Sequence, residues 1–272
     1  MKENQLTNFF IKMIAFVKKD LQVYYSYKIN LISNLVLVVF IFTLFFFISS
    51  AESGKEFVSS KNLLGDVLIA LILIDFMLVF VGVFSNEVRA AQLQGTFEAL
   101  ILSHTSILTI ILSAYGFTFI KSFLRLIIYI LIGLLIFEIK LDVFRLPLFF
   151  MLTLYGSIPF IAMGVISASF VMIFKVGNLA NLFIGLISIS LSGIFFPIEY
   201  FPETLEFISN FNPLKHSVDA SRKILLESQE IMQIKKELIS IAFLITVLLP
   251  TSILIVYYSL RFSKKNGNLN HF

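Results

Sequence analysis

The chain has 272 residues, of which 58% are hydrophobic and 14% are charged, and its net charge at pH 7 is +4. A soluble globular protein has about 25% charged residues, so this composition excludes a soluble domain and predicts an integral membrane protein. The sequence has no cysteine, which excludes disulfides, thiolate catalysis and cysteine metal sites.

Residues 1–27 are predicted to form an amphipathic helix that lies in the plane of the membrane interface. Apolar side chains recur at helical spacing on one side: Leu6, Phe9, Phe10, Met13, Ile14, Val17 and Leu21. Lys12, Lys18 and Lys19 fall on the opposite side, where they would face anionic lipid headgroups. A helix packed on the protein is the alternative, and the interfacial position is favoured because a membrane span follows directly.

Six windows of about 20 apolar residues are long enough to cross the hydrocarbon core of a bilayer. They cover residues 29–50, 63–84, 114–136, 147–174, 177–196 and 238–260. The predicted fold is therefore an all-α polytopic membrane protein, with one transmembrane domain of six transmembrane helices over residues 1–272. Basic residues concentrate near both ends of the chain, so the positive-inside rule predicts that both termini lie in the cytoplasm of a prokaryotic cell.

The fourth and fifth windows carry small residues at spacings that let helix backbones approach closely. Gly156, Gly164 and Ala168 lie in the fourth window, and Gly177 and Gly185 lie in the fifth. Helices associate in lipid through such close approaches, so both helices are predicted to face protein, within the subunit or across a dimer.

Three charged residues fall inside predicted spans. Asp75 lies near the middle of the second window, and Lys121 and Arg125 lie one turn apart on one face of the third. Each charge at a helix centre costs about 2.5–3.5 kcal/mol on the insertion scale, so the third span needs a partner. The two spans are antiparallel neighbours, which predicts an intramembrane ion pair. A structural clamp is the favoured role of this pair, and participation in substrate passage is the alternative.

The segment 85–106 is predicted to be a cytoplasmic loop that holds a short helix. Glu87 and Arg89 close the second span, and Gly95 and Thr96 precede the short helix. The Thr96 hydroxyl suits the N-cap of that helix. A short helix that lies across the cytoplasmic face is a suitable binding site for another protein that would move it.

The segment 197–237 is predicted to form a re-entrant helical hairpin on the outer side, before the last span. Pro197 ends the fifth span, and Pro202 suits the first turn of a short helix. The pair Asn212-Pro213 breaks this helix, and a second helix follows. Backbone that is not helical is tolerated at membrane depth only against protein or a wet cavity.

Two stretches of the sequence resemble the signatures of type 2 ATP-binding-cassette (ABC) exporter permeases. The first carries an E-x-R … G-T-x-E-x-L pattern at Glu87, Arg89, Gly95, Thr96, Glu98 and Leu100. The second, SGIFFPIEYFPETLEFISNFNPLKHSVDASRKIL at Ser192–Leu225, carries G-x-x-F-P, N-P-L and D-A-x-R patterns in the family's order. The family often has a Gly-Lys pair at the start of the third span. This chain has Ala114-Tyr115-Gly116 there, so Lys121 does not inherit a family role.

The resemblance implies a half-transporter of six spans that works as a dimer with two copies of a cytoplasmic ABC ATPase. Its ATPase-coupling interface would comprise Glu87, Arg89, Gly95, Thr96, Phe97, Glu98 and Leu100. The helix that docks on the ATPase would cover about residues 93–103, with Glu87 and Arg89 at the end of the preceding span. The sequence has no G-x-x-x-x-G-K-[ST] phosphate loop, so ATP and Mg would be bound by the partner ATPase. No catalytic residue and no cofactor are expected in this chain.

In such a dimer, two hairpins that meet at the axis would form an outer gate, and a cap without a gating role is the alternative. The candidate gate residues are Phe195, Phe196, Pro197, Tyr200, Phe201, Pro202, Asn212 and Pro213. In so apolar a sequence, each of these aromatic residues could instead simply face lipid or pack in the core, which is the more common role of an isolated phenylalanine.

The expected function is that of the permease subunit of an ATP-driven exporter in the cytoplasmic membrane. Its cargo would be amphipathic or lipid-linked: a drug, lipid, peptide or glycan. The 32 phenylalanines and the lack of tryptophan favour an apolar or amphipathic cargo over a bare sugar chain. A non-transporting membrane anchor for a cytoplasmic partner is the alternative. An intramembrane enzyme is disfavoured, because the sequence shows no carboxylate pair, histidine cluster or nucleophile–base set at plausible spacing.

The expected partners are the ABC ATPase, a second permease copy in a homodimer or heterodimer, and membrane lipid. The histidines His104, His216 and His271 lie far apart, without further ligands at metal-binding spacing, so no metal site is expected. The modest positive charge is typical of cytoplasmic lysines in a membrane protein, and no nucleic-acid partner is expected.

Overall fold

The computed structural model describes residues 63–97, 107–139, 141–175, 179–195 and 198–265, together with Val36, Val39, Phe40, Thr43 and Leu44. The predicted interfacial helix over residues 1–27 lies outside the described residues, and so does the first predicted span over residues 29–50, apart from those five positions.

Seven α-helices have bounds within the described residues, and no strand is found among those residues. The helices are α1 (Leu63–Leu93), α2 (Ile107–Leu135), α3 (Leu146–Phe174), α4 (Leu179–Ser190), α5 (Glu203–Ser209), α6 (Pro213–Leu225) and α7 (Lys235–Lys265). Single 3₁₀ turns at Val143–Arg145, Ile198–Tyr200 and Ile231–Ile234 precede α3, α5 and α7. This part of the chain agrees with the all-α prediction.

Within the described residues, four helical segments are long and apolar enough to cross a membrane, and they match four of the six predicted spans. They cover Leu64–Leu93, Thr109–Leu135, Val143–Phe174 and Ile231–Ser263. A helix pairs its backbone groups within the segment, which lipid requires because it offers no hydrogen-bond partners. The chain is therefore a multi-pass membrane protein.

The fifth predicted span, over residues 177–196, is not confirmed as a full-length transmembrane helix, and residues 176–178 just before α4 lie outside the described residues. The helix found there, α4, has 12 residues. It is about 18 Å long, which is shorter than the ~30 Å hydrocarbon core. The chain turns after α4 because Gly193 takes a left-handed backbone conformation (φ 74°) and the Ser192 hydroxyl accepts a hydrogen bond from the Ile194 amide. These turn-forming residues interrupt a window that is apolar by composition.

The loop predicted over residues 85–106 begins later than expected, because α1 stays helical to Leu93. Val88 is buried in the core, so packing prolongs the helix past the point where the apolar window ends. Residues 98–106, which include the predicted coupling residues Glu98 and Leu100, lie outside the described residues.

The long helices α1, α2 and α3 alternate in direction, whereas α7 runs parallel to α3: Tyr155 of α3 contacts Leu238 near the start of α7, and Ser169 contacts Ser259 near its end. Asp75 of α1 meets Arg125 of α2. Phe80, further along α1, meets Tyr115, which lies earlier in α2, so these two helices are antiparallel. The next long helix, α3, returns in the direction of α1, and it packs along α1 on one side and along α7 on the other.

Three helices meet around Gly164 of α3. A Cβ atom placed on Gly164 would lie 2.7 Å from the Phe80 carbonyl oxygen and 2.9 Å from that of Val81. The Tyr115 hydroxyl of α2 donates to the same Phe80 carbonyl at 3.0 Å. The prediction that small residues turn the fourth span toward protein is confirmed here, since only glycine permits this contact between the backbones of α1 and α3.

Candidate coupling and gating sites

The helix α1 ends just before Gly95. The end of the bundle that contains Gly95 is called the Gly95 end, and the opposite end, where α1 begins, is called the Asp66 end. Gly95 has a left-handed backbone conformation (φ 67°). Its amide donates to the Gln92 carbonyl at 3.2 Å, and the Thr96 amide donates to the Ala91 carbonyl at 2.9 Å. These two hydrogen bonds form a Schellman motif, in which a glycine lets the last carbonyls of a helix find donors.

The other described residues of the predicted coupling interface differ in accessibility. Glu87 and Arg89 are half-buried on the last turns of α1, and Thr96 is exposed. Phe97 is only 1% exposed. The Phe97 ring therefore anchors the turn in the core, and its side chain is not presented to a partner.

Gly95→Ala is expected to destabilise the protein by about 1–2 kcal/mol, because a residue with a side chain is strained in the left-handed region. Among the described residues, no atom lies within 4 Å of a Cβ added at Gly95, so the substitution isolates backbone strain. Gly95→Asn is the matched control and should lose less stability, since asparagine tolerates this conformation. Thermal unfolding of both variants is the measurement. A Gly95→Ala protein as stable as the wild type would show that the left-handed conformation at position 95 causes no strain.

The charged residues of α1 and α2 meet in the middle of the bundle. The Arg125 Nη2 atom lies 3.0 Å from Asp75 Oδ2, and Arg125 also donates to Ser122 Oγ at 3.4 Å. Lys121, one turn before Arg125, lies within electrostatic reach of Asp75. The Arg125 side chain is 9% exposed and that of Asp75 is 23% exposed. Little water is available to replace a lost partner, so each of these two charges depends on the other.

The pair Asn212-Pro213 begins α6 and ties it to the end of α4. The Asn212 Oδ1 atom accepts a hydrogen bond from the Leu214 amide at 3.1 Å, which caps α6, and Pro213 occupies the first helical position. The Asn212 Nδ2 atom donates to the Ser188 carbonyl at 2.7 Å. One side chain therefore starts α6 and also satisfies a carbonyl in the last turn of α4.

Arg222, the arginine of the D-A-x-R pattern, joins α6 to the start of α1 and to the turn after α4. Its Nε atom lies 2.8 Å from Asp66 Oδ1 at the start of α1. Its Nη1 atom donates to the Gly193 carbonyl at 3.4 Å, just after α4. The neighbouring Lys223 pairs with Glu237 of α7 at 2.6 Å. Charged groups thus fasten α6 to α1 and α7 and to the turn that follows α4.

Asp219, the acid of the same pattern, lies half-buried among cations. Burial raises the pKa of the Asp219 carboxyl above its ordinary value, and the charges of Arg222, Lys215 and His216 oppose that rise. Around α6, three acids (Asp66, Asp219 and Glu237) lie near three bases (Lys215, Arg222 and Lys223).

The predicted gate residues divide into a buried pair and a set of exposed aromatic residues. Asn212 and Pro213 are buried at the start of α6, whereas Phe195 is 57% exposed and Tyr200 is 78% exposed. Of the others, Phe201 is half-buried, Pro202 is exposed, and Phe196 and Pro197 lie outside the described residues. The exposed rings are open to lipid, cargo or a second protein, while the buried pair positions α6.

The sequence patterns did not predict a polar link that joins α1, α3 and α4. The Asn181 Nδ2 atom donates to Ser85 Oγ at 2.7 Å, and the Ser167 hydroxyl donates to Asn181 Oδ1. Ser85 in turn donates to the Gly82 carbonyl at 3.0 Å. The sequence signal for such a link is an asparagine side chain within an apolar helix, because polar side chains in lipid form hydrogen bonds with neighbouring helices.

A family model matches most of the chain. The model described as "ABC-2 type transporter" covers residues 9–226, which include both stretches that carry the resemblance. Comparison with curated proteins gives no match. Because the family match extends over more than half of the sequence, the chain belongs to the ABC-2 type transporter family.

Proposed function

We propose that this chain is the permease subunit of an ATP-driven exporter that moves an amphipathic or lipid-linked cargo across the cytoplasmic membrane. As an ABC-2 family member it is the membrane component of an ABC transporter, and the family implies an ABC ATPase as its partner. In the proposed complex, two permease copies work with two ATPase subunits, which bind ATP and Mg. The chain termini and the Gly95 end face the cytoplasm.

The observation that carries this proposal is the course of α1. This helix has 31 residues and is about 46 Å long. It runs from the Asp66 end, where Asp66 contacts Arg222, to the turn at Gly95. One helix therefore connects the two stretches that resemble the family signatures. Since α1 packs against α2, α3, α4 and α6, a push at the Gly95 end is transmitted to α6.

The position of α6 supports the proposed re-entrant hairpin. Its amino end contacts Ser188 of α4, and Ser217 lies against Gly156 of α3. Its carboxyl end reaches the Asp142 amide, which donates to the Leu225 carbonyl at 3.2 Å, just before α3. The amino half of α6 therefore lies beside the long helices, and its carboxyl end reaches the level at which α1 and α3 begin. Polar groups at such a depth require protein or water around them, which suits a gate at the end of a cargo path.

Exposed apolar side chains support the proposed dimer and cargo class. On α4 they follow helical spacing, at Leu179, Leu182, Phe183, Leu186 and Ile187. In the proposed dimer this stripe, with Phe195 and Tyr200 beyond it, faces the second copy and the cargo path. Uncharged, aromatic surfaces bind the apolar part of an amphipathic molecule, so drugs, lipids, peptides and lipid-linked glycans are the cargo classes proposed.

Purification of the chain from its native membrane, followed by reconstitution, tests this function. An ATPase with a phosphate loop is expected to copurify, and candidate amphipathic cargoes are expected to stimulate its ATP hydrolysis in liposomes. A matched sample of the ATPase alone is the control for basal hydrolysis.

Two outcomes would contradict the exporter. A complex that forms but never moves cargo would favour the membrane anchor. Cargo movement by the chain alone in liposomes, with no nucleotide-hydrolysing subunit present, would exclude ATP-driven export.

A further inference from the structure

Four exposed apolar side chains lie on the two segments that lead into α3 and α7. Phe144 is 98% exposed and Met232 is 76% exposed, and their neighbours Val143 and Ile231 are each 55% exposed. These four side chains are called the Phe144 patch. Single exposed apolar residues are ordinary, whereas several on one fixed surface mark a site of interaction.

Hydrogen bonds hold the two segments of the patch side by side at the Asp66 end. The Arg145 guanidinium donates to the Gln229 carbonyl, and the Ser228 hydroxyl donates to Asp142 Oδ2 at 3.0 Å. Arg145 also pairs with Asp142 at 2.9 Å. The second segment is fixed further by a capping box that begins at Glu230. The patch is therefore a built surface and not a set of loop tips.

The depth of the patch in the membrane follows from the lengths of the membrane-crossing segments. Those that contain α3 and α7 begin at Val143 and Ile231 and have 32 and 33 residues, so each is about 48 Å long. The hydrocarbon core is ~30 Å thick, and the bilayer with its headgroups is ~40–45 Å thick. A segment centred on the core therefore has its first residues in the headgroup layer, and the patch lies there.

The apolar surface of the patch continues onto the two spans. Met151 follows Phe144 by seven residues and is 70% exposed, and Ile239 follows Met232 by seven residues and is 56% exposed. Seven residues are about two helical turns, so each pair lies on one side of its segment. The patch is thus the upper edge of a surface that faces acyl chains.

Charged residues border the patch in an order that suits a membrane surface. Glu227 and Glu230 are exposed before Ile231, and Lys235 and Lys236 are exposed after Met232 in the chain. Lysines near the end of a span place their stems along apolar surface and their ammonium groups among lipid phosphates. The patch therefore lies between carboxylates on the water side and lysines at the headgroups.

We propose that the Phe144 patch inserts into the phospholipid headgroup layer and anchors the carboxyl end of α6 to the membrane surface. The link to α6 is direct, because the Asp142 amide donates to the Leu225 carbonyl at 3.2 Å. The occupant is lipid, since the patch lies at headgroup depth and continues the apolar surface of two spans. Insertion of this kind requires neither cargo nor ATPase.

The sequence has no tryptophan, so one tryptophan introduced into the patch reports only on its own surroundings. Phe144→Trp and Met232→Trp keep a large apolar side chain and are made in the full-length chain, which is reconstituted in phosphatidylcholine vesicles. Both variants are expected to emit at shorter wavelength than tryptophan in water. Phosphatidylcholine brominated about 5–10 Å below its headgroups should quench both, and iodide on both sides of the membrane should quench neither.

The matched control is Glu227→Trp, at an exposed position before the patch. Its emission should resemble that of tryptophan in water, and iodide should quench it while brominated lipid should not. Unfolding temperatures equal to that of the wild type confirm that all three variants are folded.

Three results would overturn the anchor. Quenching of Phe144→Trp and Met232→Trp by iodide, as strong as that of Glu227→Trp, would show that the patch faces water. Protection of both from iodide and from brominated lipid would show that protein, such as a second copy of the chain, covers the patch. Equal quenching of Glu227→Trp by brominated lipid would show that insertion is not confined to the patch.

Discussion

Replacing Gly164 with alanine is expected to destabilise the protein by about 1–3 kcal/mol, and replacing it with leucine should cost more. An alanine Cβ would lie 2.7 Å from the Phe80 carbonyl oxygen and 2.9 Å from the Val81 carbonyl oxygen. Both atoms belong to the backbone of a buried helix, so they cannot rotate away as a side chain would. The bundle can relieve the overlap only by separating α1 from α3. Thermal unfolding and the yield of folded protein measure the effect.

Gly82→Ala provides the matched control on the other helix of the pair. Its added Cβ would lie 3.2 Å from the Nδ2 atom of Asn86, an exposed and flexible side chain. Alanine is also the better helix former, by about 1 kcal/mol. Gly82→Ala should therefore be close to the wild type in stability. A Gly164→Ala protein that unfolds at the same temperature as Gly82→Ala would show that α1 and α3 are not in backbone contact.

Asp75→Asn is expected to produce the largest loss, about 3–5 kcal/mol, because it leaves the buried Arg125 guanidinium without its counter-ion. Arginine cannot shed its proton in a protein, so the charge stays. Arg125→Gln should cost less, because the Asp75 carboxylate that remains can bind a proton and become neutral. Expression level and thermal unfolding of the two single variants measure this asymmetry. Native abundance and native thermal stability of Asp75→Asn would exclude the clamp.

The double variant Asp75→Asn/Arg125→Gln distinguishes the two roles considered for the pair. Without either charge, the stability should recover toward that of the wild type, and a double-mutant cycle gives the coupling energy. If the pair is a clamp, the double variant should also move cargo at a near-native rate. If the pair takes part in substrate passage, transport should stay low although the protein is stable.

The positions of four spans could be predicted from composition, because lipid admits only segments that are apolar and pair their own backbone groups. The ends of these helices could not be predicted in the same way. α1 extends to Leu93 because Val88 and Gln92 are buried by tertiary packing, which an apolar window does not register. α4 stops early because Gly193 adopts a left-handed turn, and hydropathy carries no information on backbone dihedral angles.

Some contacts of the candidate site could likewise be predicted from the sequence, and others could not. The meeting of Asp75 with Arg125 could be inferred, because unpaired charges are costly in lipid and consecutive spans are antiparallel neighbours. The contact between Asp66 and Arg222 could not, because the turn after α4 and the Asn212 cap bring α6 beside α1. The resemblance to the family singled out Arg222 and Asn212, but it did not predict which atoms their side chains contact.

The brevity of α4, with 12 residues, affects the lipid around the protein. A helix of about 18 Å beside neighbours that are more than twice as long gives the subunit an uneven hydrophobic height. Where lipid, and not the second copy, borders α4, the acyl chains must shorten to match it, at a cost of fractions of a kcal/mol per ångström of mismatch. Thin bilayers of short-chain lipid therefore accommodate this surface at a lower elastic cost, and membrane thickness becomes a variable that sorts the protein among lipid environments.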